Sequence, residues 1–525
     1  MMRFLHEKIW LSATAECPDR CAIVYQDKYL SYSQVWNSVS AFSNWLSNNI
    51  ETGSRIAICL ENIPEAVYSL YAIPAAGMIA VPIDANLHER NITHILNDAG
   101  AEVVITTDKQ LGKLTKIIKN INLKTIIICG DKNNSFQKNP PVLYLNDLLD
   151  NRDNAVTLDM DGIKEEDTAV ILYTTGTTGP KKGVMLSHFN LLSATGHINQ
   201  FMQFDNGVIE SLPMPLSHSF GFARLRSVFA VAGTVILENG LLRPELVLHH
   251  ITRYKANSFS SVPAGFEILL NDYYIDQFRK VGRQLRFIEI GSAFMRSGHK
   301  KLLMECCPET RICMHFGLTE ASRSTFIEFH SEKDYVHTAG RPSPNVSIKI
   351  VDKNSNALPI NTPGEILIKA DTVMKGYWAN DKLTREVLKD GWLFTGDSGM
   401  IDRSGYLQLL GRKEDVINLG GIKVGPEEVE SVLVSFPGIS EAAVVGIFPS
   451  NGLDNQIIRA YLVVADKSSP VDCNELKRFC LRELEPYKVP QEFIILETLP
   501  KLSAGKIQRH LLREMTNGSF EKVSL

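Results

Sequence analysis

The run Ile171-Leu172-Tyr173-Thr174-Thr175-Gly176-Thr177-Thr178-Gly179-Pro180-Lys181-Lys182-Gly183-Val184 gathers polar groups in a way a buried core does not explain. An apolar strand, Ala169 to Tyr173, passes into threonines and glycines and closes on two lysines. Hydroxyls and glycine amides present donors, and ammonium groups add charge. Thr174, Thr175, Gly176, Thr177, Thr178 and Lys182 therefore fit a cradle for polyphosphate oxygens. The spacing is not that of a P-loop, because counting on from Gly176 puts Lys181 where the second glycine belongs. The bland reading is an ordinary surface turn. Thr, Gly and Lys together, directly after a strand, weigh against it.

Further along, His315-Phe316-Gly317-Leu318-Thr319-Glu320 places an aromatic ring, bare backbone, a hydroxyl and a carboxylate in one hexapeptide. Phe316 can stack on a base and Thr319 can donate to a phosphate oxygen. Glu320 offers the hard oxygen that Mg2+ takes in phosphate chemistry. The stretch Gly391-Trp392-Leu393-Phe394-Thr395-Gly396-Asp397 ends in a carboxylate able to accept from two neighbouring hydroxyls. Leu212-Pro213-Met214-Pro215-Leu216-Ser217-His218-Ser219-Phe220-Gly221-Phe222 carries a histidine, and the strand Phe287 to Ile290 runs into Gly291-Ser292-Ala293-Phe294. Pro500-Lys501-Leu502-Ser503-Ala504-Gly505-Lys506 sets a lysine after small residues. Singly, each has a plain alternative: a histidine satisfied in a turn, a solvated glutamate, a lysine in a tail.

In this order across the chain, the segments resemble the adenylate-forming superfamily: the acyl- and aryl-CoA synthetases, the luciferases and the adenylation domains of nonribosomal peptide synthetases. The resemblance implies a ligase that activates a carboxylic acid with ATP and Mg2+, releasing pyrophosphate, and passes the acyl group to a thiol. It implies roles as well. Thr174 to Lys182 hold the β- and γ-phosphates. His218 lies beside the substrate carboxylate. Gly291, Ser292 and Ala293 border the adenine and the acyl pocket. Phe316 and Gly317 meet adenine, Thr319 the α-phosphate and Glu320 the Mg2+. Asp397 and Arg412 reach the ribose, Glu414 is the hinge, and Lys506 bridges the carboxylate and the α-phosphate. Leu419-Gly420-Gly421-Ile422 supplies bare backbone beside the thiol tunnel. The chain departs from the family pattern at several places. Lys181 stands where a proline is usual. Ser292 and Phe294 alter a Gly-Gly-Ala-Pro run, Phe316 replaces a tyrosine, and Glu414 replaces the usual Asp or Lys.

The thiol is that of CoA or, as an alternative, the phosphopantetheine of a separate carrier protein. A third reading is a non-catalytic nucleotide-binding sensor on the same scaffold, against which Glu320, Asp397, Arg412 and Lys506 argue. Amino-acid-activating relatives place an aspartate just after the Leu-Pro stretch, and Ser219-Phe220-Gly221-Phe222 here points away from an amino acid. Val262-Pro263-Ala264-Gly265-Phe266 and Phe294 suggest an apolar pocket of modest size, in keeping with fatty acid metabolism. Arg224 could pair with a second carboxylate on the acid, or simply face solvent from a helix.

The elements that must position these residues follow from periodicity. Val103 to Thr106 and Thr125 to Cys129 are continuous apolar runs, as in parallel strands buried on both faces. Ser31 and Gln34 form a capping box ahead of Val35, Val39, Phe42 and Leu46 at helical spacing. Ser187 to Phe201 reads as a helix. Strands alternate with helices, so the fold class is α/β, with doubly wound mixed sheets and, by resemblance, a distorted barrel. From Pro426 on, the pattern is a compact α+β unit: helix to Phe436, strands Ala442 to Gly446 and Arg459 to Val464, helix Asn474 to Leu484, strand Phe493 to Leu496. The expected division is a large domain over 1–412 and a small mobile one over 413–525.

Composition bounds the rest. The chain has 525 residues, with Lys+Arg 55 against Asp+Glu 59, so no basic excess points to nucleic acid. The nine cysteines are scattered without paired spacing, which suits neither zinc nor a disulfide framework and fits a cytoplasmic protein. His6, Glu7 and Lys8 interrupt any apolar core before Ala13, so no signal peptide is expected. No apolar run reaches the length of a membrane span, so no integral membrane segment is expected.

Overall fold

The computed structural model describes residues 7–130, 140–150, 162–174, 181–292, 295, 297–412, 417–420, 422–449, 455–465, 471–500, 507, 509–515 and 522–523. Two large mixed sheets organise the chain up to about residue 345. In one, six strands run parallel in the order Thr168–Thr174, Ile79–Ile83, Arg55–Cys59, Val103–Thr107, Thr125–Cys129, Val142–Tyr144. The continuous apolar runs of the sequence are the inner strands, with Val103 opposite Thr125 and Thr107 opposite Cys129. Lys182–Ser187 closes that sheet antiparallel to Thr168–Thr174, and Gly376–Tyr377 adds to its edge.

The other sheet has nine strands. Its parallel centre runs Arg311–Leu318, Phe287–Ile290, Ser258–Ser261, Ile209–Leu212, Thr234–Leu237, Cys21–Tyr25. A third, five-stranded antiparallel sheet takes the place of the expected barrel, as an open half. Its long strand Trp392–Ile401 pairs with both Gly364–Lys369 and Leu407–Arg412. Past Ile417 come a two-stranded hairpin and a separate sheet built on Ile439–Ile447, Ile457–Val464 and Glu492–Ile495, with helices Pro426–Val434 and Cys473–Glu483. The hydrophobic cores do not mix: those of the large sheets end by Leu407, and those of the small unit begin at Ile417.

Local chemistry explains where the helices begin. Ser31 accepts from the Gln34 amide while Gln34 accepts from the Ser31 amide, so the expected capping box is made in full. Ser187 does the same with Asn190, and so serves as the cap of helix His188–Met202 and lies outside its first turn. At the amino end, Trp10 is fully buried, its ring 4.8 to 5.5 Å from those of Phe229, Tyr71 and Tyr32. That anchor ties the first turn to the core of the large unit.

Candidate active site

In an open parallel sheet, ligands lie beyond the carboxyl ends of the strands. Both large sheets deliver their carboxyl ends to one cleft of about 1830 Å3. Ile79–Ile83 ends at Asp84 and Thr168–Thr174 at Thr174. Ile209–Leu212 leads to His218, Phe287–Ile290 to Ser292, and Arg311–Leu318 to Thr319 and Glu320; all of these side chains are in the walls. Lys182, Gly317, Gly396 and, from the small unit, Gly420 and Tyr487 complete them. Gly291, Phe316 and Asp397 each adjoin a wall residue. Phe316 packs half-buried against the main core, and Asp397 is buried. Thr175, Gly176, Thr177, Thr178, Ala293, Phe294, Glu414 and Lys506 lie outside the described residues, as does the side chain of Arg412.

The two ends of the threonine-rich segment are fixed by pairing, Thr174 standing opposite Lys182. Lys182 Nζ lies 5.6 Å from the centre of the Tyr377 ring. The Tyr377 hydroxyl donates to Glu320 Oε1 at 2.8 Å. One tyrosine thus touches both the lysine and the carboxylate. Gly183 is tightly enclosed: a Cβ there would come 2.7 Å from Ile171 and 3.0 Å from the Tyr173 ring. Glu320 lies in the cleft wall, and no group of three or more metal-type side chains occurs among the described residues. That donor set suits a Mg2+ ion brought in on phosphates, which needs only one or two protein carboxylates.

His218 caps helix Ser219–Phe229 in an extended conformation, with Nε2 3.8 Å from Asp84 Oδ2. Burial pushes the Asp84 carboxyl up, but His218, the Asn86 amide and Lys181 outweigh it and hold Asp84 below the usual carboxylate range. Asp397 and Arg412 are direct cross-strand partners, so the two residues expected at the ribose share one register position.

Behind the wall lies a buried charge network. Arg224 donates to Glu210 at 3.2 and 2.6 Å and to Glu289 Oε2 at 2.9 Å, with all three side chains fully buried. Arg323 donates to Glu289 Oε1 at 3.1 Å, and His315 Nδ1 lies 2.7 Å from the same oxygen. Against the cost of burial, Arg323, Arg224 and His315 hold the Glu289 carboxyl far below its ordinary range. Burial, with the charge of Arg323, lowers the His315 pKa although Glu289 opposes the shift. The His315 ring rests on Gly291, where any Cβ would overlap it. Arg224 therefore corrects both sequence expectations: it faces neither solvent nor substrate.

Two cleft residues escaped the sequence reading as site residues: Asp84 and Tyr377. Asp84 had a legible signal, a carboxylate at the carboxyl end of an apolar strand. Tyr377 gave none, since its contact with Glu320 spans 57 residues. Lys181 sits against the small unit, and burial with the charge of Lys488 lowers its pKa despite Glu485 and Glu428. The small unit docks there: Glu485 accepts from the His88 amide at 3.2 Å and from Asn91, and Arg90 lies 3.8 Å from Glu428.

Comparison with known proteins follows the same outline. The family described as AMP-binding enzyme matches residues 11–378, and its C-terminal domain matches residues 428–506. A long-chain-fatty-acid–CoA ligase of Haemophilus influenzae is 30% identical, over 96% of this chain and 93% of its own length. The enzyme of that name from Bacillus subtilis is 30% identical, over 98% and 95%. Among solved structures, a double mutant of the o-succinylbenzoate CoA synthetase of Bacillus subtilis, bound with its product analogue, superposes with a TM-score of 0.81. It is 24% identical and covers 97% of this chain and 98% of that one.

Proposed function

Because the chain belongs to the AMP-binding enzyme family, we propose that it is an AMP-forming acid–CoA ligase acting on an aliphatic monocarboxylic acid. The observation that carries this reading is the convergence of Thr174, Lys182, His218, Thr319 and Glu320 on one cleft. A carboxylate is a poor acyl donor because its leaving group is oxide. Its oxygen attacks the α-phosphorus of ATP, the bond from that phosphorus to the bridging oxygen breaks, and pyrophosphate leaves. Charge must be held in line through this step, and no covalent bond to the protein is needed.

The ends of the threonine-rich segment hold the β- and γ-phosphates, and Thr319 donates to the α-phosphate. Mg2+, when bound with the nucleotide, neutralises phosphate charge, and Glu320, fixed by Tyr377, is its protein carboxylate. Asp397 and Arg412 take the ribose, with Phe316, Gly291, Ser292 and Ala293 bordering the base. His218 orients the acid. Lys506, carried by the lobe that follows a boundary at 412/413, joins the two reactants, and Glu414 is the pivot. The thiol sulfur of CoA then attacks the acyl carbon and AMP leaves.

The acid is inferred from the fatty-acid ligases at 30% identity and from apolar side chains in the cleft, among them Leu237, Leu241, Val247 and Ile268. CoA is preferred to a carrier protein because the relatives' names specify CoA. The test is pyrophosphate release with ATP across short, medium and long aliphatic acids and aromatic acids, with and without CoA. AMP and an acyl-CoA are the expected products. Release of ADP, or turnover only with a carrier protein, would reject the reading.

A further inference from the structure

Asp84 and His218 come from different sheets and meet in the cleft wall: one follows strand Ile79–Ile83, the other strand Ile209–Leu212. The backbone on each side is fixed locally. Asp84 Oδ1 accepts from the Asn86 amide at 2.9 Å, and the Asp84 carbonyl from the Leu87 amide at 3.1 Å. That Asx turn sets the direction of the carboxylate. On the other side, buried Asn62 donates to the Met214 carbonyl and accepts from the Leu216 amide, each at 2.9 Å. The His218 amide then donates to Pro215 at 3.1 Å, and its carbonyl accepts from the Phe222 amide at 3.0 Å. The imidazole caps no amide of the helix it precedes, and Asp84 is its one polar side-chain partner among the described residues.

At 3.8 Å, Nε2 and Oδ2 are within ion-pair reach but too far apart for a hydrogen bond, so what acts between them is charge. Burial opposes ionisation of Asp84, but His218, the Asn86 amide and Lys181 outweigh it, and Asp84 is a carboxylate at neutral pH. An acid brought beside His218 adds a second carboxylate to this corner, and like charges so placed repel. A neutral imidazole has a single N–H to give; an imidazolium has two. An opposite charge at that range favours the charged form of a ring.

We propose that Asp84 is a positioning residue for adenylation: its fixed negative charge keeps His218 an imidazolium as the acid arrives, with one ring nitrogen facing Asp84 and the N–H of the other given to the acid carboxylate. This rests on the ligase reading and deepens it, since it makes the capture of the acid depend on a charge that never touches the acid.

The experiment measures pyrophosphate release by the intact protein with butanoate, octanoate and hexadecanoate, and takes KM for the best of these acids. Asp84→Asn keeps the shape and removes the charge. It should raise KM for the acid about fivefold, with kcat and KM for ATP changed by less than about twofold. Asp84→Glu, which keeps the charge, should recover most of the loss. Asp84 also acts electrostatically on Lys181 and, in the small unit, on Tyr487. The comparison is therefore repeated in a His218→Ala background, where D84N should add almost nothing. Consumption of a supplied acyl adenylate with CoA, in which no free carboxylate is bound, should be unaltered in D84N. Should D84N fail to fold, Asp84→Ser against D84E makes the same comparison. An unchanged KM in D84N, the same rise in the H218A background, an equal loss with the acyl adenylate, or a D84E as impaired as D84N would each overturn the proposal and leave the ligase reading standing. No release by the wild type with any of these acids would overturn both.

Discussion

Arg224 and Glu320 show how the same charge chemistry serves structure in one place and a site in another. Arg224 spends its donors on Glu210, Glu289 and Ser258 and sees no water. Arg224→Met would leave Glu210 buried without its cation, and Glu289 with Arg323 and His315 alone. It should cost about 3–5 kcal/mol of stability by urea unfolding. The preference between mono- and dicarboxylic acids should stay unchanged in the folded fraction; a change would restore the substrate role. Glu320 lies in the cleft wall and accepts from the Tyr377 hydroxyl. Glu320→Gln should lower pyrophosphate release by about 10²-fold with almost no change in Tm. Tyr377→Phe, which frees the carboxylate without removing it, should cost roughly tenfold or less. Equal losses in the two variants would reject Glu320 as the metal carboxylate.

Helix His188–Met202 joins the cleft-bearing sheet to the rest, and its first residue is buried without its charge. Burial lowers the His188 pKa to about 4 from an ordinary 6.5, although Asp167 opposes the shift. Between those values the unfolded chain binds a proton that the folded one refuses. Stability is therefore fully present above about pH 6.5 and falls as pH drops toward 4, by about 3 kcal/mol in all. Urea midpoints measured from pH 7 to pH 4.5 should show this slope, and His188→Gln should flatten it. An unchanged slope in the variant would place the titration elsewhere. At this scale much was legible. Both buried parallel strands, Val103–Thr107 and Thr125–Cys129, and the Ser31 capping box follow from patterns of neighbouring residues. Element ends were less legible, because Ser187 as a cap and as a first turn read alike until its Asn190 bonds are seen.

Across the whole molecule the small unit lies with Gly420, at φ +60°, against Ala264 in the cleft wall. A Cβ there would stand 3.0 Å from that of Ala264. Gly420→Leu should slow acyl transfer to CoA by roughly tenfold or more while ATP–pyrophosphate exchange changes little. Lys506→Ala should do the reverse, losing adenylation yet consuming a supplied acyl adenylate. Matching losses in both half-reactions for either variant would reject a lobe that serves the two steps in different poses. The sequence by itself determined the α/β class, the order of the motifs and the kind of chemistry, because these rest on residues close along the chain whose spacing carries the signal. Only the tertiary structure decided that Asp84 faces His218, that Tyr377 holds Glu320 and that Arg224 is sealed in a charge network. Those pairings join residues 134, 57 and 14 or more positions apart. Whether a charged side chain meets water or a partner depends on which strands lie side by side, and local spacing carries no record of that.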